Sequence, residues 1–163
     1  MQLERVKESS SKGYSLLEFL LVMAIIAILV GIIIIAIHPG KNLGHIHNVN
    51  RRTAINTIID GIHQYALDNN GVLPTVGTRL GAVALSATPT EVCSTTATSC
   101  AGLVDLAILT ASDKYIVAIP KDPQCPAECS ANGTGYFIAK DINNRLIVSA
   151  PNAENGKTIS VNK

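Results

Sequence analysis

The stretch KGYSLLEF at residues 12–19 leads into the longest apolar run of this 163-residue chain. The run extends from Phe19 to Ile37, nineteen residues without a charge and apolar throughout apart from Gly31. Since an α-helix rises about 1.5 Å per residue, a run of this length reaches about 29 Å, close to the roughly 30 Å hydrocarbon core of a bilayer. A lone span must also satisfy its own backbone hydrogen bonds, which only a helix does. The stretch therefore predicts a membrane-spanning helix with a single carboxylate, Glu18, at its entrance.

Three other interpretations of this run compete: an ordinary membrane anchor, a secretory signal peptide and a buried core helix. A core helix of a soluble protein is expected to be apolar on one face, whereas this run is apolar on every side. A secretory signal has an apolar region of about 7 to 15 residues followed by a small-x-small cleavage site. The run is longer than that, and Ile35-Ala36-Ile37-His38 is a poor site of this kind. The residues around Gly13 decide whether the run is an ordinary membrane anchor.

The sequence GYSLLEFLLVMAIIAILVGI at residues 13–32 resembles the N-terminus of type IV prepilins and pseudopilins. The resemblance implies that a prepilin peptidase cleaves after Gly13, on the cytoplasmic side, and that the new N-terminal residue, Tyr14, is methylated. Glu18 is then the fifth residue of the mature chain, where this family has its glutamate. The family more often has Phe at the place of Tyr14, and its frequent proline within the apolar helix is missing here.

The same resemblance implies a fold and a domain organisation. The fold is expected to be α+β and type IV pilin-like, with a long N-terminal helix, kinked near Pro39, packed on a small antiparallel sheet. The implied segments are a cytoplasmic leader peptide that is removed (1–13), a transmembrane or filament-core helix (14–38), an amphipathic second half of the helix (39–70) and a soluble α+β head (71–163). The segment from Ile119 to Glu154 also resembles, more weakly, C-terminal regions of bacterial pilin-like proteins.

Glu18 has an expected role in subunit assembly. Cleavage after Gly13 creates a positive α-amino group at Tyr14, and an unpaired charge in apolar surroundings is costly. The glutamate of one subunit is therefore expected to pair with the terminal amine of a neighbour while the apolar helices pack into a filament core. The implied partners are prepilin peptidase, the membrane and other pilin-like subunits in a homo-oligomeric filament, with no small-molecule substrate.

Apolar residues at three- and four-residue spacing predict a second helix over residues 42–68, ended by the stop signal Asp68-Asn69-Asn70-Gly71. Arg51 and Arg52 are assigned to its polar faces. Residues 71–102, rich in Thr, Ala, Gly and Ser, are predicted as loop or short elements. The remaining predicted elements are a short helix (102–110), three strands (115–119, 136–140 and 145–150), a hairpin turn between the last two strands (141–144) and an edge strand (159–161).

The four cysteines, Cys93, Cys100, Cys125 and Cys129, all follow the predicted span, on the side expected to lie outside the cytoplasm. That compartment permits disulfides. Four cysteines allow three connectivities, of which the local pairs Cys93–Cys100 and Cys125–Cys129 are favoured. A zinc site is the alternative, but the spacings do not match a two-knuckle pattern.

Other polar residues give weaker signals. His45 and His47 are two apart, and positions two apart on a helix do not face each other, so metal binding is not predicted. Asp141 and Asn143 offer two oxygen donors in a turn, fewer than the roughly six to eight oxygen ligands that Ca²⁺ takes. Asn132-Gly133-Thr134 fits a glycosylation sequon. The sequence has no nucleophile elbow, phosphate-binding loop, HExxH or dinucleotide motif, so no catalytic residue, cofactor or enzymatic activity is predicted.

The charge balance and the N-terminal motif lead to one functional hypothesis. Thirteen basic and twelve acidic residues make the chain nearly neutral, so no nucleic-acid partner is expected. The hypothesis is a structural subunit of a type IV pilus-like filament, held by a single pass in the inner membrane before assembly and located at the cell surface or in the periplasm afterwards. The alternatives are a type II secretion pseudopilin and a membrane-tethered module for DNA uptake or binding. The last would require clustered basic residues beyond Arg51-Arg52.

Overall fold

The computed structural model describes residues 13–37, 39–74, 79, 84–143 and 145–163. It divides the chain into two compact units, one ending at Pro39 and the other covering Gly40–Lys163, called here the C-terminal unit. The helices are α1 (Leu16–Ile37), α2 (Pro39–Asp68) and α3 (Ala107–Thr110), with a 3-10 turn at Ala111–Asp113. The strands are β1 (Thr90–Cys93), β2 (Gly133–Lys140), β3 (Leu146–Ala150) and β4 (Ile159–Asn162).

Helix α1 is the apolar run of the sequence. Ser15 stands just before the helix and its hydroxyl accepts a hydrogen bond from the Leu17 amide at 3.3 Å, as an N-terminal cap does. Glu18 lies in the first turn, where the helix dipole favours a negative charge. The segment Leu16–Ala36 is long and apolar enough to cross a membrane, with a mean hydropathy of 3.4.

Helix α2 begins three residues before the predicted helix and ends at the predicted residue, Asp68. Pro39 is tolerated in the first turn because the amide it lacks would have no partner there. The end of the helix is closed by Gly71, whose amide donates to the Ala66 carbonyl at 2.8 Å and whose φ of +83° suits glycine. The predicted kink involves His38, which lies outside the described residues.

The four strands form one antiparallel sheet in the order β1-β2-β3-β4. Strands β2 and β4 contain the predicted strands 136–140 and 159–161, and β3 begins one residue after the start of the predicted strand 145–150. Strand β1 lies in a region predicted mainly as loop. In the turn after β2 the Asp141 carboxylate accepts hydrogen bonds from the amides of Asn143 and Arg145, both at 2.8 Å. The fourth residue of the predicted turn, Asn144, lies outside the described residues.

One face of α2 packs against the sheet and encloses the core. The helix contributes apolar side chains at three- and four-residue spacing, and the core is completed by β1, β2, β3 and the α3 region. The fully buried apolar side chains of this core include Ile55, Ile58, Ile59, Ile62, Val92, Leu106, Leu109, Tyr136, Ile138, Leu146 and Val148. The arrangement is α+β, a long N-terminal helical region followed by a small antiparallel sheet.

Two predicted elements are wrong. Residues 115–119 are irregular and not a strand, because their backbone hydrogen bonds go elsewhere: the amides of Tyr115 and Ile116 donate to Leu109, and the Ile119 amide donates to the Thr95 hydroxyl. Tyr115, Ile116 and Ile119 of this segment still pack on the core, which explains the strand-like pattern. The helix predicted over residues 102–110 is reduced to its last turn, α3.

Candidate functional site

The residues at the predicted cleavage site lie at the start of the described chain. Gly13, Tyr14 and Ser15 are non-helical and exposed, directly before α1. A Cβ added at Gly13 would meet no atom within 4 Å, so the fold itself does not require glycine there. Tyr14 is 86% exposed and Glu18 is exposed one turn into the helix. The structure thus presents this junction on an open segment beside the apolar helix.

Helix α1 has no buried residue between Leu16 and Ala36. Every residue of the span is exposed, and the large apolar side chains retain roughly half or more of their surface. Full burial of a Leu, Ile or Phe side chain contributes about 1.5 to 3 kcal/mol, so a helix this apolar is stable only inside a lipid bilayer or against other helices. Its side chains include Leu17, Phe19, Leu20, Ile25, Ile28, Ile33 and Ile35.

Two disulfides, Cys93–Cys100 and Cys125–Cys129, join the cysteines in the local order favoured from the sequence. The first closes the loop after β1. The second closes a loop that leads into β2 and exposes Pro126, Ala127 and Glu128. Both disulfides belong to the C-terminal unit and leave α1 untouched.

Arg79 organises the first disulfide loop. Its guanidinium donates to the Ser94 carbonyl at 2.6 Å and to the Ala97 carbonyl at 3.1 Å, so it occupies the inside of the loop. The same group donates twice to Asp105, at 2.9 and 2.5 Å. Burial raises the pKa of Asp105, but hydrogen bonds from Arg79 and from the Ala107 amide outweigh it and hold this pKa below its usual value.

Arg51 is fully buried, which corrects its predicted place on a polar face of α2. Its guanidinium donates to both oxygens of Asp122, at 2.6 and 2.9 Å, and to Glu154 at 2.9 Å. Gln124 and Asn48 complete this set, called here the Arg51 network. The hydrogen bonds that Arg51 donates to Asp122 and Glu154 raise its pKa against the opposing effect of burial, so the guanidinium stays charged. The sequence does contain a sign of this burial, because residue 51 continues the three- and four-residue spacing of the buried positions 55, 58 and 62.

The connection between β3 and β4 docks on α2 beside this network. Asn48 and the backbone of Glu154 exchange two hydrogen bonds, at 2.8 and 2.9 Å. Gly44 permits this approach, because a Cβ there would lie 2.8 Å from Asn155 Nδ2. His47 Nδ1 lies 2.8 Å from Glu154 Oε2. The hydrogen bonds from Arg51, and next that from His47, lower the pKa of Glu154.

A second buried carboxylate, Glu91 on β1, holds the other end of the Cys125–Cys129 loop. It accepts a hydrogen bond from the Gly135 amide at 2.7 Å and one from the Ser130 hydroxyl. Asp122 holds the start of the same loop through Arg51. The loop is thus fixed between helix α2 and the edge strand β1.

The remaining polar residues singled out in the sequence do not converge on a site. His45 is exposed while His47 faces Glu154, so the two histidines point to different surroundings. The Asp141 carboxylate accepts a hydrogen bond from Arg145 Nε at 2.7 Å in addition to those from the turn amides. Thr134 of the sequon is fully buried and donates to the Val92 carbonyl. Within the part of the chain that the structure describes, no three His, Cys, Asp or Glu side chains are grouped to hold a metal ion.

Comparison with known proteins identifies the N-terminal segment. The family profile described as the prokaryotic N-terminal methylation motif matches residues 9–34. No curated protein and no solved structure matches the chain. The match covers the exposed junction at Gly13, the carboxylate of Glu18 and most of α1. The chain therefore carries a prepilin-type N-terminal signal of the type IV pilin and pseudopilin class, on an α+β fold that is consistent with a type IV pilin-like protein.

Proposed function

We propose that the protein is a structural subunit of a type IV pilus-like filament outside the cytoplasm. The observation that carries the proposal is the combination of the methylation motif at residues 9–34 with a helix, α1, in which every residue from Leu16 to Ala36 is exposed. Such a helix requires a membrane before assembly and neighbouring subunits after it. The protein is anchored by this single pass and then becomes part of a filament at the cell surface or in the periplasm.

Maturation begins with cleavage by prepilin peptidase between Gly13 and Tyr14, followed by methylation of the Tyr14 amine. The open, non-helical position of these residues supports access by an enzyme. Glu18 then pairs with the terminal amine of a neighbouring subunit. Pairing supports assembly because either charge alone is costly among apolar side chains.

Mass determination of the mature N-terminus tests the processing step. The chain is co-expressed with a prepilin peptidase, extracted from membranes and measured for loss of residues 1–13 and for one added methyl group. A Gly13→Leu variant is expected to remain uncleaved. Gly31→Leu is the matched control, since a Cβ at Gly31 also meets no atom within 4 Å and the substitution leaves the junction intact. Retention of residues 1–13 in the unaltered chain, or a cut after Ala36, would contradict the proposal.

Filament yield tests the role of Glu18. Glu18→Gln removes the charge with little change in shape, so insertion into the membrane is expected to persist while assembly falls. Yield is measured by shearing and blotting, next to the membrane-bound amount. Normal filament yield from Glu18→Gln would eliminate the pairing role. The length and location of the filaments in the same preparation decide between a surface pilus and the short periplasmic filament of a type II secretion pseudopilin.

A further inference from the structure

The first part of α2 carries an apolar stripe that the C-terminal unit leaves uncovered. Leu43, Ile46 and Val49 follow one another at three-residue spacing and are 56%, 54% and 48% exposed. They lie on the side of the helix away from Asn48 and Arg51, which face the rest of the unit. Three large aliphatic side chains on one exposed helix face call for a covering surface.

The charges around this stripe identify the chemistry of that surface. Along the sequence no acidic residue occurs between Glu18 and Asp60, and Glu154, which docks beside His47, is already paired with Arg51 and His47. Lys41, His45 and Arg52 are all exposed, and their spacing of four and seven residues places them along one edge of the stripe. An apolar row with a basic edge, whose neighbouring carboxylate Glu154 is already paired with Arg51, suits an interface with anionic lipid headgroups.

The chain itself keeps this stripe near a membrane. Leu43 follows Ile37, the last residue of α1, by six positions, so the connecting chain spans at most about 20 Å whatever the orientation of the two units. A surface tethered this closely meets the membrane at a high effective concentration, so a small patch is sufficient for contact.

We propose that, before assembly, the face formed by Leu43, Ile46 and Val49 lies in the headgroup region of the membrane that α1 spans, with Lys41 and Arg52 beside anionic headgroups. This contact fixes how the C-terminal unit is presented while the subunit awaits assembly. The inference rests on the membrane insertion of α1 and is independent of the type of filament.

The sequence has no tryptophan, so a single introduced indole reports its own surroundings. The full chain carrying Ile46→Trp is reconstituted into vesicles of phosphatidylethanolamine and phosphatidylglycerol with brominated acyl chains. Thr57→Trp is the matched control, because Thr57 is exposed on the same side of α2 but about 16 Å further along the helix. Resistance to alkaline extraction, scored on the same samples, tests the insertion of α1 separately.

Blue-shifted emission and strong quenching are expected for Ile46→Trp, with little of either for Thr57→Trp. Bromine near the top of the acyl chain should quench more than bromine near the terminal methyl group, because an interfacial helix is buried by only about 5 to 10 Å. Replacing phosphatidylglycerol by phosphatidylcholine, or combining Lys41→Gln with Arg52→Gln, should reduce the quenching. Equal, weak quenching at both positions in extraction-resistant protein would overturn the proposal. A blue shift without quenching that grows with the protein-to-lipid ratio would assign the face to a second copy of the chain instead.

Discussion

A single guanidinium joins three separate parts of the C-terminal unit. Arg51 on α2 binds Asp122, at the start of the second disulfide loop, and Glu154, between β3 and β4. The side chains of Arg51 and Asp122 are both fully buried. A buried ion pair adds little net stability compared with an apolar pair, but removing one partner leaves an uncompensated charge. Arg51 therefore matters chiefly because Asp122 has no access to water.

We expect Arg51→Met to lower the free energy of unfolding of the Gly40–Lys163 fragment by about 3 to 5 kcal/mol, because Asp122 is left buried without its partner. Urea denaturation measures the change. Arg52→Met, one residue along on the exposed side, is the control and should stay within about 0.5 kcal/mol of the unaltered fragment. Similar losses for the two variants would show that burial of the Arg51–Asp122 pair is not the cause.

Glu154 is expected to contribute to the acid sensitivity of the same fragment. Its pKa is lowered in the folded state by Arg51 and His47, from an ordinary value of 4.5. The folded state therefore binds fewer protons than the unfolded state, so the stabilisation is present above about pH 4.5 and is lost as the pH falls through the folded pKa. Glu154→Gln should flatten this part of the stability-against-pH curve, and Glu128→Gln, in an exposed loop, should leave it unchanged. The free energy of unfolding is measured by denaturant titration at several pH values between about 3 and 7.

At the scale of elements, the sequence predicted the helices and strands that have a regular apolar spacing. It missed the elements whose structure depends on contacts with residues distant in the sequence. Helix α2 and strands β2 to β4 follow their apolar periodicity. Strand β1 is only four residues long, and its polar member, Glu91, is buried because Ser130 and Gly135 bind it, which no local pattern indicates. Residues 115–119 have the β-branched composition of a strand, but pack on the core as an irregular segment. The spacing of apolar residues indicates which side chains are buried. Whether the segment is a strand or a loop depends on which groups its backbone hydrogen-bonds to.

The two disulfides are expected to stabilise the C-terminal unit separately. Their sequence separations are seven and four residues. In the chain-entropy account, loss of Cys93–Cys100 by double alanine substitution should lower the free energy of unfolding by about 2.5 kcal/mol and loss of Cys125–Cys129 by about 2 kcal/mol. Urea denaturation of the fragment, with non-reducing peptide mapping of the remaining bond, checks both values. Mapped crosslinks between the two loops would contradict the local pairing.

At the scale of the whole molecule, the prepilin-type signal of the N-terminus could be predicted from sequence because it is local. Gly13, Glu18 and the apolar run lie within one short segment. The Arg51 network instead connects residues that are far apart in the sequence, with separations of 71 and 103 positions. Among the described residues the core lies in the C-terminal unit, and no side chain from Leu16 to Ala36 contributes to it. The two units therefore meet different physical requirements, one for apolar surroundings and one for a packed interior.

Removal of residues 1–39 should leave a folded, water-soluble fragment with both disulfides. The expectation follows from the core, whose members all lie beyond Pro39. A cooperative urea transition and two intact disulfides in protein exported to an oxidising compartment would support it. Ile58→Ala, at a fully buried core position, is the comparison variant and should lower stability by about 2 to 5 kcal/mol. A fragment that aggregates or unfolds without cooperativity would show that α1 is needed for folding.

The separation between Arg51 and Glu154 also sets an order of events on the ribosome. Arg51 is synthesised 103 residues before Glu154, which at about 5 to 20 residues per second is a delay of roughly 5 to 20 s. During this interval the guanidinium lacks one of its final partners and remains best placed in water. Because Glu154 lies in the connection between β3 and β4, the Arg51 network is completed only when nearly the whole C-terminal unit has been synthesised. Enclosure of the buried face of α2 therefore follows the synthesis of that helix by many seconds.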